Sequence, residues 1–325
     1  MCVDSSSSSP TVIHVIPRGN AVCGVASLGD DVFVVCWPSE EKIEVYDTKT
    51  FTLQRHITVF GLGNESYGLA ACPHNNCLYA SDWIFGRVHR VAVSDRNAVM
   101  EWSVASRPVG LSVNSEHNLL VVSEGERKLQ VFTTHGSLLQ NIQLQADIER
   151  PCHALQLPTG QFLVSPSSLS GLYRVCLVGD DGAVVHRYGG QMGSQPTQII
   201  VPAGLAVDRE GRVLVADDYN NRLLSIDQSL SSAHEMTVCA DGGLKWPRSL
   251  WYDQSRRRLC IGEWSGRRVI VIDNLKDFTA AQVNATSSDF ADQSSSVGGK
   301  ELASSSTLPD RDDRNLVATV IEEGQ

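Results

Sequence analysis

Six copies of one pattern predict an all-β chain folded as a six-bladed β-propeller. Three observations carry this: the copies recur at a near-constant period, each is built of apolar runs too short for a helix, and Asp, Asn or Gly turns close the runs. Aligned on the small residue that opens the first run, the copies begin at Gly24, Gly68, Gly110, Ala154, Gly204 and Ser249, spaced by 44, 42, 44, 50 and 45 residues. In the best copy, Gly204–Val207 leads into the turn Asp208–Gly211, a second run Val213–Ala216, a polar loop, and a third run Leu223–Ile226. Runs of about four to six residues rich in Val, Ile and Leu, with no 3.6-residue period, read as buried strands joined by hairpins. Four such strands every 40 to 50 residues or so make a propeller blade, and six blades account for residues 11–275.

Taken in order, TVIHVI at 11–16 is β-branched and precedes the first copy, while the sixth copy stops at Val269–Ile272 without an outer strand. The N-terminal run is expected to pair there and close the ring, which removes an open sheet edge. Copies one to six then read CGVASLGDDVFVVCWPSEEKIEVYD, SYGLAACPHNNCLYASDWIFGRVHRV, RPVGLSVNSEHNLLVVSEGERKLQVF, RPCHALQLPTGQFLVS, the fully patterned stretch 184–227, and WPRSLWYDQSRRRLCIGEWSGRRVIVID. Residues 1–10 and 276–325 have too few apolar residues to bury a core. They are expected to be disordered, the latter as an acidic, Ser-rich tail ending in LVATVIEE, a candidate docking helix.

The 184–227 unit holds GGQ, PAGLAVD, DREG, VLVAD and NNRLLSID in the order of an NHL repeat, which it resembles, and the other five keep its skeleton. The resemblance is to the NHL domain of tripartite-motif and related proteins. It implies an NHL-type propeller, recruitment of a partner in ubiquitin-dependent or post-transcriptional regulation, and, in some members, single-stranded RNA bound on a strongly basic face. Nine cysteines without any CxxC supply no RING or B-box zinc spacing, so ligase activity would have to come from another protein. Cys72 and Cys77 flank a predicted turn and are read as reduced thiols.

The net charge of −10 is shared: nine acids against four bases put −5 in residues 276–325, Asp4 adds −1, and −4 remains for the ring. Nucleic-acid affinity rests on clustered Lys and Arg, so RNA is the disfavoured partner. The chain opens on MCVDSSSSSP, without the basic and apolar regions of a signal peptide, and no run approaches the length of a membrane helix, so a cytoplasmic monomer is expected.

An acid at the end of the second strand and a base at the start of the third recur as Asp217 with Arg222, Asp82 with Arg87, Glu124 with Lys128, and Glu263 with Arg267 or Arg268. Such a repeated pair reads as a pin for each loop. Copy four offers neither partner in VSPSSLSGLYRV, leaving Ser165–Gly171 as a polar sector. On one propeller face, the loops between strands two and three and between blades would carry Trp37, Tyr67, Trp83, Phe85, Tyr219, Trp246 and Trp264, interleaved with Arg87, Arg107, Arg150, Arg222, Arg248 and Arg267. Aromatic residues with Arg make interface hot spots, and acids on the same loops bring the face near neutrality, so a protein partner is expected there. The competing reading makes each ring a lid on its neighbouring blade.

Metal-dependent propeller enzymes of the lactonase or amidating-lyase kind need acidic or His side chains converging on the central channel. The channel-side positions here are Tyr67, Val109, His153, Ala203, Arg248 and Ala21 or Val22, in which His153 is the one candidate ligand. No nucleophile–base pair is readable. The sequence therefore points to a non-catalytic module with no cofactor and no metal.

Overall fold

The computed structural model describes residues 11–93, 98–104, 106–123, 125–166, 173–195, 197–238, 240–273 and 275; the predicted disordered ends, the LVATVIEE segment and Glu124 lie outside them. Twenty-four strands form six four-stranded antiparallel sheets. Strand β1 (Thr11–Pro17) comes first in the chain and last in the ring. Blade 1 is β2 (Ala21–Leu28), β3 (Asp31–Trp37), β4 (Lys42–Asp47) and β5 (Leu53–Thr58). Blade 2 is β6 (Leu69–Cys72), β7 (Cys77–Asp82), β8 (Arg87–Ala92) and β9 (Val99–Ser103). Blade 3 is β10 (Pro108–Val113), β11 (Leu119–Ser123), β12 (Lys128–Phe132) and β13 (Leu138–Gln143). Blade 4 is β14 (Pro151–Gln156), β15 (Phe162–Pro166), β16 (Arg174–Val178) and β17 (Val184–Gly189). Blade 5 is β18 (Pro202–Val207), β19 (Val213–Asp217), β20 (Arg222–Ile226) and β21 (Ala233–Met236). Blade 6 is β22 (Pro247–Asp253), β23 (Arg258–Glu263) and β24 (Arg268–Asp273), completed by β1.

Closure follows the expected register, with Ile16 opposite Val269 and Val15 opposite Ile270. The first strand of each blade packs on that of the next, from β2 through β6, β10, β14, β18 and β22 and back to β2, so the ring is complete. The small residue that opened each sequence copy is what allows this approach. A Cβ on Gly110 would sit 2.4 Å from the Cys152 carbonyl oxygen, and one on Gly204 2.6 Å from that of Arg248. At the last seam a Ser replaces Gly and turns the closeness into a bond, the Val25 N–H donating to Ser249 Oγ at 3.0 Å. Middle strands are apolar on both faces because neighbouring blades cover both, as in Val213–Asp217, where every residue is buried. Outer strands are covered on one side only and lie largely in solvent, leaving Leu138, Leu139 and Val185 exposed.

Cys72 and Cys77 face each other across the β6–β7 pair and are fully buried. Among the described residues, no helix is long and apolar enough to cross a membrane.

Candidate functional site

In five blades the residue just before the third strand has a left-handed backbone: Glu41, Gly86, Arg127, Asn221 and Arg267. This conformation turns the chain sharply enough for the next residue to face the acid that ends the second strand. Blades 5 and 6 use the geometry alike. Arg222 donates through Nε to Asp217 at 2.8 Å and through its Nη groups to the carbonyls of Ser194 and Gln198, at 2.8 and 2.7 Å. Asp217 in turn accepts the Ile200 N–H at 2.7 Å. In blade 6, Arg268 bonds Glu263 and the carbonyls of Asp241 and Gly243, while Glu263 accepts the Lys245 N–H at 2.8 Å. The pair thus fastens the connection arriving from the previous blade, and in blade 5 Asp217 also holds the loop of its own strands by accepting from Asn220 Nδ2 at 2.7 Å.

Two other blades depart from the predicted pairing. Asp82 and Arg87 are register partners, but the Asp82 carboxylate faces His89 at 3.6 Å and Arg87 reaches Glu101 at 2.8 Å. Burial works against the Asp82 charge, yet His89 and the N–H groups of Phe85 and Gly63 hold its pKa below the ordinary carboxylate value. Blade 4, expected to carry neither partner, has Arg174 at the first position of its third strand. Buried, it donates at 2.7 Å to both the carbonyl and the carboxylate of Asp147. The blade therefore does carry a charge at this place. Residues 167–171 of the Ser165–Gly171 polar sector lie outside the described residues. Lys128 pairs with Glu126 at 2.5 Å.

The aromatic residues gather in three groups on one arc of the loop face. Trp37 of blade 1 leans on Trp264 of blade 6, with ring centres 5.7 Å apart, and Arg248 covers Trp264 at 4.5 Å. Tyr219 of blade 5 lies 5.2 Å from Trp246, whose positive φ of 50° is held by its N–H donating to Asn221 Oδ1 at 2.8 Å. Tyr67 meets Trp83 edge-on at 6.2 Å in blade 2, and Arg107 from the entry to blade 3 lies 4.3 Å above Trp83. These rings are half-buried and bridge neighbouring blades, as lids do. Phe85 differs: it is 60 % exposed, with Arg87 5.6 Å from its ring.

Two more exposed apolar side chains are absent from the sequence expectation, Ile84 at 48 %, next to Phe85 in the chain, and Phe60 at 79 % on the loop that enters blade 2. Gly61 approaches Glu101, the partner of Arg87, and Gly63 approaches Ile84, which brings the two loops together. The arc therefore runs over blades 5, 6, 1 and 2 and ends in an apolar rim. The described loops of blades 3 and 4 present no exposed aromatic ring on this face.

Of the expected arginines, Arg222 is withdrawn into the blade by the bonds above and offers nothing to a ligand. Arg150, half-buried, leads into β14 in a left-handed conformation, and Arg267 is exposed, its Nη1 3.4 Å from the Gly19 carbonyl. Local acids take up much of the remaining positive charge: Glu44 pairs with Arg18, Glu40 with Lys42, Glu101 with Arg87 and Glu126 with Lys128.

In the channel, His153 joins three blades. Its Nδ1 accepts the Leu205 N–H at 3.3 Å, so Nε2 carries the proton and donates to the Leu111 carbonyl at 3.2 Å. Burial pulls its pKa down to about 4, outweighing the bond to Leu111, and with both nitrogens engaged the ring is a strut between innermost strands. Among the described residues, no three His, Cys, Asp or Glu side chains converge as metal ligands.

A family model for the NHL repeat matches residues 201–224, the β18–β20 core of blade 5. The chain is a six-bladed β-propeller with an NHL repeat in blade 5. No curated protein sequence matches it. Among solved structures, the NHL propeller is similar to hydrazine synthase from Kuenenia stuttgartiensis (TM-score 0.60, 13 % identity, 85 % of this chain and 100 % of that one). It is also similar to virginiamycin B lyase from Staphylococcus aureus with quinupristin (0.59, 9 %, 81 % and 86 %). A protein of unknown function from Bacteroides thetaiotaomicron superposes as well (0.64, 12 %, 82 % and 72 %). At these identities the likeness is one of fold.

Proposed function

We propose that the NHL propeller is a non-catalytic binding module that recruits a protein partner through the aromatic arc, in a cytoplasmic setting of ubiquitin-dependent or post-transcriptional regulation. The observation that carries this is the rim of Phe60, Ile84 and Phe85, three large apolar side chains left in water on two adjoining loops. Isolated exposed apolar residues need no explanation, whereas a contiguous group rimmed by polar side chains is the signature of an interface. Local ion pairing supports protein over RNA, because a phosphate would have to compete with Glu40, Glu44, Glu101 or Glu126 for its cation.

The test is capture on the immobilised propeller, with protein and RNA identified in the same eluate at about 0.1 M and about 0.5 M salt, against a Phe60→Ser/Phe85→Ser double variant. We expect a protein retained at both salt concentrations and at least tenfold depleted on the variant, as for a loss of about 2 kcal/mol or more at an aromatic anchor. Because both rings are exposed, the variant should melt where the parent does. An RNA species released between the two salt steps and indifferent to the double substitution would reverse the assignment.

A further inference from the structure

Arg248 is the one arginine on the channel-lining strand of its blade, and its side chain is 24 % exposed. Its guanidinium is held but not saturated. The Trp264 face lies 4.5 Å from its carbon and Asp218 Oδ2 3.7 Å from Nε, too far for a hydrogen bond; no described residue bonds either Nη group. Its electrostatic neighbours are Asp218 from blade 5, Cys23 from blade 1, Cys152 from blade 4 and Tyr67 at the entry to blade 2. A side chain that feels residues of so many blades is at the mouth of the central channel. Burial opposes its charge, and Asp218 together with Cys23, Cys152 and Tyr67 outweighs that effect, so it stays a cation.

We infer that Arg248 is a subsite for a single carboxylate of a bound peptide, carried next to an apolar group. Three features select this chemistry. The planar guanidinium is pre-oriented by stacking on Trp264, with two Nη groups free to form the paired bonds a carboxylate accepts. Asp218 cancels most of the local charge, which disfavours a phosphate dianion more than a monoanion. Trp264 and Trp37 form the adjoining wall, 5.7 Å apart, which suits an apolar or aromatic group beside the carboxylate. The inference rests on the partner reading only for the source of that carboxylate, a peptide, and its site lies apart from the Phe60–Phe85 rim.

The experiment titrates the intact propeller with N-acetylphenylalanine, its uncharged amide, acetyl-Phe-Glu-amide and phenyl phosphate, following the Trp264 indole N–H by NMR. We expect the two carboxylates to shift that signal with dissociation constants in the millimolar range and the amide to bind at least tenfold more weakly. Which carboxylate binds better tells a chain terminus from an acidic side chain. Arg248→Gln should abolish the difference between acid and amide. Asp218→Asn, which removes the competing acid, should tighten the carboxylates several-fold, and it serves as the decisive variant if Arg248→Gln folds poorly. Equal binding of acid and amide, preference for phenyl phosphate, or no shift with any probe up to about 10 mM would overturn the subsite. None of these outcomes touches the Phe60/Phe85 capture result, so the two readings fail separately.

Discussion

In blade 5 Asp217 stands opposite Arg222, and in blade 2 Asp82 stands opposite Arg87, at the same place in the blade. The first pair closes into a buried hub; the second separates, with Arg87 swinging out to Glu101. The difference traces to the residue two positions along the third strand, which shares a face with the arginine. In blade 5 this is Leu224, apolar and buried, so no imidazole competes for Asp217, and Arg222 keeps it through Nε at 2.8 Å while its Nη1 lies 3.4 Å from Glu235. In blade 2 it is His89, fully buried between Asp82 and Glu101, and the imidazole takes the place that the guanidinium would fill. Freed from the blade, Arg87 becomes part of the surface beside Phe85. A repeat position thus passes from buried scaffold to exposed surface with the identity of one neighbouring residue.

The contrast can be broken most sharply at Arg222. Arg222→Met strands the buried Asp217 and the carbonyls of Ser194 and Gln198, and should cost about 3–5 kcal/mol by urea unfolding. A loss under about 1 kcal/mol would mean that the hub is ornamental. A smaller effect sharpens the blade 2 side. With its pKa lowered in the folded state, Asp82 binds fewer protons there than in the unfolded chain, so its contribution is complete above the ordinary carboxylate range and fades as pH falls through it. Asp82→Asn should cost about 1–2 kcal/mol at pH 7, with the gap between parent and variant closing as pH falls below the ordinary carboxylate value and through the lowered one. A gap that stays constant with pH would remove the carboxylate from the account. Smallest of all, Arg87→Ala should change stability by no more than about 0.5 kcal/mol, since its ion pair is solvent-exposed. A larger loss would return Arg87 to the scaffold and dissolve the contrast.

The ring was legible because its determinants are local: the recurring Gly marks where one backbone meets the next, and turn residues punctuate each strand. Side-chain partners were less legible. Arg174 escaped notice because its acid, Asp147, lies in the preceding connection and not at the end of the second strand. Phe60 follows the apolar alternation of β5, and its sequence resembles a strand end; only the folded loop shows that nothing covers it. The aromatic residues were read as a row of separate rings, but most of them lean on one another across blade seams. Telling a covered ring from an open one requires knowing the distance between blades, which no single repeat encodes.

The closing strand has a consequence for the order in which the protein is made. Thr11–Pro17 leaves the ribosome before any blade exists, yet its place beside Arg268–Asp273 appears only about 250 residues later. At roughly 5–20 residues per second, that is about 12 to 50 seconds of synthesis during which the first strand has no partner in the ring. Over that interval five blades can assemble vectorially, and the sixth cannot be completed until Thr11–Pro17 is recruited back to Arg268–Asp273.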